Sequence, residues 1–323
     1  MLFLKPALKE TIWGGNRLRN DFEMQTDLKN IAEAWVLSCH EDGESIVVGG
    51  EYDGKTLSHV LEKEIGMDAL GTNCEGYDKI EDFPILIKLI DADDKLSVQV
   101  HPDDEYAAAN EKDVRGKTEA WYIIDCDDDA ELIYGFNDDL TKEEFREAIE
   151  AGTLLDKVNR TKVKPGDVAF ISAGTLHAIG KGILLAEVQQ SCNTTYRVFD
   201  YNRTGLDGKP RELHVDKAVD VTECTIPSAT LDPIGMPVKH DGYMTTLLSE
   251  CPYFTMTCID IDTLYADEAD ETSFVSLVVL DGEGSIKCGE DERSFLKGDS
   301  IFIPADSGSF YVSGKAKILH TKV

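Results

Sequence analysis

The apolar residues of this chain come in short runs, each closed by glycine, aspartate or proline. Phe83–Asp91, Leu96–Val100, Ala120–Ile124, Asp167–Ile171, Ile183–Val188, Phe274–Leu280 and Ser300–Ile303 are rich in Ile, Val, Leu and aromatic residues. Their length and punctuation are those of β-strands rather than of helices, whose apolar residues recur at a period of roughly 3.6. Helical patterning is confined to two places. Thr56–Leu70 is amphipathic, and Thr141–Gly152 opens on Thr141 and Glu144, the spacing of a capping box. Many short strands with Gly-rich turns predict a mainly β chain, a sandwich or small barrel with helices inserted between strands.

One strand has a counterpart elsewhere in the chain. Gly166–Ala173 reads GDVAFISA and Gly298–Ala305 reads GDSIFIPA. Each joins a Gly-Asp turn, an apolar strand and a small-residue turn, which points to two related β-units. Continued in register, His177 of the first falls opposite Ser309 of the second, so only the first keeps a potential ligand. His320 is the only histidine beyond His240, and no metal is expected in the second unit. A stretch rich in Pro, Thr and Asp, Cys224–Pro237, marks the boundary. It divides the chain into a catalytic unit with helical insertions, 1–225, and a degenerate C-terminal β-unit, 226–323. Chance similarity of two Gly-Asp turns is the simpler alternative.

Charge narrows the function classes. The chain carries 62 acidic against 32 basic residues, a net −30, which argues against a nucleic-acid or anionic-membrane footprint. No apolar run approaches the roughly 18 residues of a spanning helix. The eight cysteines include no Cys-x-x-Cys pair and read as reduced thiols. A cytoplasmic protein is expected.

Polar residues interrupt the strands in one informative pattern. In LSVQVHP, alternation places Ser97, Gln99 and His101 on one face of a strand, with Val98 and Val100 on the other. His177 follows the first Gly-Asp strand, and Lys117 and Glu119 share a side ahead of another. Two imidazoles and a carboxylate form a donor set suited to catalytic zinc, and Gln99 can add a neutral oxygen. The alternative is that both histidines are ordinary polar residues at strand ends. Lys88, Lys117, Arg197 and Arg203 lie on or beside the same strands. They either hold an anionic ligand or neutralise the abundant acids nearby.

The ordered segments decide between these readings. IWGG (Ile12–Gly15), EAW (Glu33–Trp35), FPILIKLIDA (Phe83–Ala92), LSVQVHPDDEYA (Leu96–Ala107), GKTEAWYI (Gly116–Ile123), AGTLHAIGKG (Ala173–Gly182), EVQQS (Glu187–Ser191) and TTYRVFDYNR (Thr194–Arg203) occur in this order. In them the chain resembles the type I phosphomannose isomerases in their shorter bacterial form, strongly over Lys5–Glu223 and weakly beyond. The resemblance implies two cupin (jelly-roll) units and a zinc-dependent aldose–ketose isomerase. Its substrates would be mannose 6-phosphate and fructose 6-phosphate, interconverted through a cis-enediolate. It also implies one zinc per chain on His101, Glu119 and His177, with Gln99 a ligand or near-ligand. Arg197 would be an active-site residue, and Ser97, Lys88, Gln99 and Lys117 would line the substrate pocket. Lys117 or a water on the metal would be the proton carrier. The chain departs from the family at Cys192-Asn193, where Ser-Asp is common, so a carboxylate base at position 193 is absent. A weakened cupin that only binds sugar phosphates is the alternative this substitution favours. A cupin dioxygenase or epimerase is disfavoured by the single His101 on its strand.

Overall fold

In the computed structural model, which describes residues 1–77, 79–112, 115–228 and 230–323, every apolar run above lies on a strand. Ala229, inside the expected boundary stretch, is outside the described residues. Six strands form one sheet in the order Val168–Ile171, Glu119–Cys126, Ile183–Gln190, Ile85–Ala92, Glu33–Leu37, Ala7–Lys9. Five form a second, in the order Tyr196–Phe199, Val98–Val100, His177–Ile179, Glu131–Phe136, Val158–Lys162.

Ile85–Ala92 and Ile183–Gln190 are buried at every position. The reason is that their sheet is covered on both faces. Ile90, Ile183 and Leu185 meet Trp121, Leu132 and Ile179 in one cluster. Ile87, Leu89, Leu184 and Val188 join a different cluster with Val278, Phe302 and Leu319 of the C-terminal sheet. A strand with two covered faces reads as a continuous apolar run, as these do.

The C-terminal sheet has ten strands and encloses its own core of Ile259, Val279, Phe295, Phe310 and Val312. The chain start is part of it. Leu2–Lys5 pairs antiparallel with Ser300–Ile303 and carries Ile46–Val48 on its other edge.

The two Gly-Asp turns are built alike. Gly166 and Gly298 both sit at φ +94°, a conformation open to glycine and strained for other residues. Asp167 accepts from the N–H of Lys164 at 2.9 Å, and Asp299 from that of Leu296 at 2.8 Å. Each glycine N–H also donates to the strand it faces, Ile123 at 2.9 Å and Val279 at 2.8 Å. The short repeated octapeptide therefore encodes one turn used twice.

Lys142–Glu150 is a helix with the expected capping box, Thr141 and Glu144 exchanging side-chain and backbone bonds. It buries Phe145 and Ala148, and Phe145 packs with Val98, Phe136 and Tyr196 of the five-stranded sheet. The amphipathic stretch from Thr56 is not one helix. It is α-helical over Leu57–Val60, widens into a π turn over Leu61–Ile65 and stops at Gly66, φ +86°. A 3₁₀ turn, Met67–Leu70, follows. Gly66 in the left-handed region ends the hydrogen-bond ladder that the apolar spacing alone would have continued. Among the described residues no helix is long and apolar enough to cross a membrane.

Candidate metal centre

Strand pairing brings the polar positions together. Gln99 is the cross-strand partner of His177 on one side and of Arg197 on the other. Glu119 comes from the opposing six-stranded sheet. The ligand atoms of His101, Glu119 and His177 all lie within 4.8 Å of one another, and the three residues are buried. His177 Nε2 is 3.3 Å from Glu119 Oε1 and His101 Nε2 is 3.7 Å from Glu119 Oε2.

The backbone fixes both imidazoles. His101 Nδ1–H donates to the carbonyl of Thr194 and His177 Nδ1–H to that of Thr175, each at 2.9 Å. Each ring therefore turns a lone pair on Nε2 toward the cluster. Burial, with Lys117 adding to it, holds both rings below the usual histidine range, His177 at about 4. Neutral imidazole is the ligating form. Burial and the nearby Glu187 push the Glu119 carboxyl up. Its Oε1 has no hydrogen-bond partner.

Lys117 fills part of this space. Its ammonium donates to Glu119 Oε2 and lies 3.1 Å from His101 Nε2. Burial would lower its pKa, but Glu119 and Glu187 outweigh that and keep it above the ordinary lysine value. Gln99 Nε2 lies 3.4 Å from His177 Nε2, and Ser97 Oγ donates to Gln99 Oε1 at 3.5 Å. Arg197 Nε donates to Ser97 Oγ at 3.2 Å. Ser97, Gln99, His101, Glu119, Lys117, His177 and Arg197 thus form one connected polar surface.

Lys88 is one step away. Its ammonium is 3.1 Å from Glu187 Oε1, and Trp121 Nε1–H donates to Glu187 Oε2 at 2.8 Å. Burial opposes ionisation of Glu187, yet Lys88 and Lys117 hold it well below the ordinary carboxylate range, at about 2. Sequence reasoning missed Glu187. The available signal was a glutamate in the middle of the fully buried run ILLAEVQQ, directly opposite Lys88 in the sheet. Arg203 goes to acids instead, pairing with Asp200 at 2.8 Å and Asp94 at 3.2 Å. Asn193 is exposed, and its amide donates to Asp42 at 2.8 Å.

Comparison with known proteins covers the whole chain. Residues 1–146 match the family described as phosphomannose isomerase type I, catalytic domain. Residues 243–323 match mannose-6-phosphate isomerase, cupin domain. The chain is 43% identical over 321 residues to mannose-6-phosphate isomerase ManA of Bacillus subtilis, covering 98% of this chain and 97% of that one. It is 38% identical over 319 residues to the mannose-6-phosphate isomerase of Streptococcus mutans, covering 98% and 96%. The crystal structure of the mannose 6-phosphate isomerase from Bacillus subtilis superposes with a TM-score of 0.89 at 36% identity, over 100% of this chain and 99% of that one. The apo form from Salmonella typhimurium shares the fold at 17% identity, with a TM-score of 0.75 over 99% and 98%.

Proposed function

From the premise that the chain belongs to the type I phosphomannose isomerases, and so is a mannose-6-phosphate isomerase, we propose how its site works. His101, Glu119 and His177 hold one zinc ion, and mannose 6-phosphate and fructose 6-phosphate interconvert there through a cis-enediolate. One observation carries this reading. Two Nε2 lone pairs and the Glu119 Oε1, which accepts no hydrogen bond, converge at one buried point. Leaving a buried carboxylate oxygen unpaired is unfavourable by about 1–3 kcal/mol or more, and a divalent cation satisfies all three atoms at once. The N and O donors suit zinc. Turning the Gln99 amide over would present its oxygen to the same point.

The chemistry supplied by bound zinc is polarisation of the substrate carbonyl. The protein does the rest. Opening of the sugar ring exposes a carbonyl next to a hydroxyl-bearing carbon, and a proton must move between carbons 1 and 2. Lys117, kept protonated between carboxylates, can hold the developing oxyanion or donate a proton. Glu187, kept ionised by Lys88 and Lys117, balances the charge of those two lysines beside the site. Arg197, braced by Ser97, adds positive charge beside the bound sugar. Ser97, Lys88 and Gln99 line the pocket between them. Residues 1–225 carry this chemistry, and 226–323 serve as a metal-free partner that covers the six-stranded sheet. Eight cysteines without disulfides suit a cytoplasmic setting.

Running the reaction in deuterium oxide tests the mechanism. An enediolate places solvent deuterium at carbon 1 of fructose 6-phosphate. Complete retention of the hydrogen from carbon 2, with no solvent label, would instead indicate a hydride shift.

A further inference from the structure

Lys117 and Glu119 reach the metal cluster from a short segment whose backbone is held at every step. Lys117 N–H donates to the carbonyl of Pro102 at 3.0 Å. Gly116 N–H donates to Asp104 Oδ1 at 2.8 Å, and Thr118 N–H to Gln190 Oε1 at 2.9 Å. Gln190 N–H returns a bond to the carbonyl of Thr118 at 3.1 Å, and its side-chain amide donates to the same Asp104 Oδ1 at 3.0 Å. One carboxylate oxygen thus gathers the segment that precedes Glu119 and the buried Gln190 beside it. Only glycine permits the approach, because a Cβ on Gly116 would lie 2.6 Å from the backbone of Asp103 and Asp104.

The second oxygen of Asp104 faces the other half of the molecule. Tyr253 donates its hydroxyl to Asp104 Oδ2 at 2.6 Å. Tyr253 belongs to the C-terminal unit, in the turn between the strands Tyr243–Glu250 and Thr255–Ile261. That turn is closed by a bond from Cys251 N–H to the carbonyl of Phe254 at 3.0 Å. Burial opposes ionisation of Asp104, but the bonds from Tyr253, Gly116 and Gln190 outweigh it and hold the carboxyl below its ordinary value. A charged acceptor with three donors makes strong, directional bonds. Asp104 also lies three residues after His101 on the same chain segment, so its grip on Gly116 fixes one ligand-bearing segment against the other.

We propose that Asp104, held by Tyr253 of the C-terminal unit, is the positioning residue that sets Lys117 and Glu119 against His101. The C-terminal unit then takes part in the reaction without supplying a group to the site. The proposal rests on the roles given above to Lys117 and Glu119, and it deepens them by naming what keeps both in place.

The test compares Tyr253→Phe, Asp104→Asn, Asp104→Ala and the Asp104→Ala/Tyr253→Phe pair with wild type. For each, kcat and KM for mannose 6-phosphate, zinc affinity by competition with a chelator, and Tm are measured. Asp104→Ala should lower kcat and zinc affinity by about tenfold or more, the usual effect of losing a group that orients a ligand. KM should stay within about threefold, because Asp104 bonds none of the residues that line the pocket. Asp104→Asn keeps an oxygen for Gly116 and Gln190 and should recover most of the loss. Tyr253→Phe should lower kcat by a smaller factor. The pair should be no slower than Asp104→Ala alone, since both changes cut one network. Folded variants with kcat and zinc affinity within twofold of wild type would overturn the proposal, as would a fall in Tm with kcat unchanged. Multiplying losses in the pair would remove Tyr253 from it. Full activity of metal-free wild type would overturn the zinc reading alone, and the kcat losses would still report the placement of Lys117.

Discussion

His177 Nε2 lies 3.3 Å from Glu119 Oε1, across the gap between two sheets. Neither residue has a nearby sequence neighbour that forces this approach. It is made by the sandwich, which sets the starts of two strands, Glu119–Cys126 and His177–Ile179, against each other. A metal held there ties the two sheets together, and its loss should be felt first at the site.

Replacing His101 by Ala should therefore leave a folded protein with little bound zinc. Metal content by mass spectrometry and melting by circular dichroism separate the two effects. A His101→Ala protein with stoichiometric zinc and normal turnover would remove His101 from the ligand set. In wild type the expected content is one zinc per chain. His320, in the C-terminal unit, is already bonded to Asp267 at 3.1 Å, and Ser309 stands where a second site would need a ligand.

Arg197→Ala should lower kcat by about 10²–10³, the usual effect of losing a donor aimed at developing charge. Tm should change little, because among the described residues the Arg197 side chain bonds one hydroxyl and one exposed-loop carbonyl. A large fall in Tm with near-normal kcat would assign it to the fold instead.

Asn193→Asp should change kcat by less than about tenfold, below what a restored general base would give. The side chain at 193 is exposed and bonded to Asp42. A carboxylate there would face another carboxylate, so a slight fall in Tm is expected. A gain of a hundredfold would mark wild type as a weakened enzyme.

Asp91 gives a pH signature away from the metal. It is 2% exposed, and burial lifts its pKa to about 6 although the Arg17 N–H bonds it at 2.7 Å. The folded state therefore binds this proton more tightly than the unfolded chain, whose aspartate titrates near roughly 4. Stability from Asp91 is fully present below that value and is lost as pH rises through about 6. Asp91→Asn should gain on wild type between about pH 4 and 6, and the gap should stay constant above. Parallel melting curves at all pH values would contradict this.

Much of the site was legible because strands alternate. Ser97, Gln99 and His101 share a face by period alone, and so do Lys117 and Glu119; the cluster is where those two faces meet. The Gly-Asp octapeptide announced its own turn. Other features depend on partners that no local pattern reveals. Glu187 looked like one acid among many until Lys88 and Trp121 were placed against it. Asp200 and Arg211 meet only because a hairpin folds back. Leu2–Lys5 carries no sign that it joins a sheet whose other strands, Ile46–Val48 apart, all lie from Val238 onward. The helix expected from Thr56 to Leu70 failed at Gly66, where a backbone preference outweighed an apolar period.

The most direct measurement is formation of fructose 6-phosphate from mannose 6-phosphate before chelation, after removal of metal, and after return of one equivalent of zinc. Activity is expected to be present, lost and restored in that order, with bound zinc rising and falling alongside it. Full activity in protein verified to contain no metal would contradict the assignment of His101, Glu119 and His177 as the centre of the reaction.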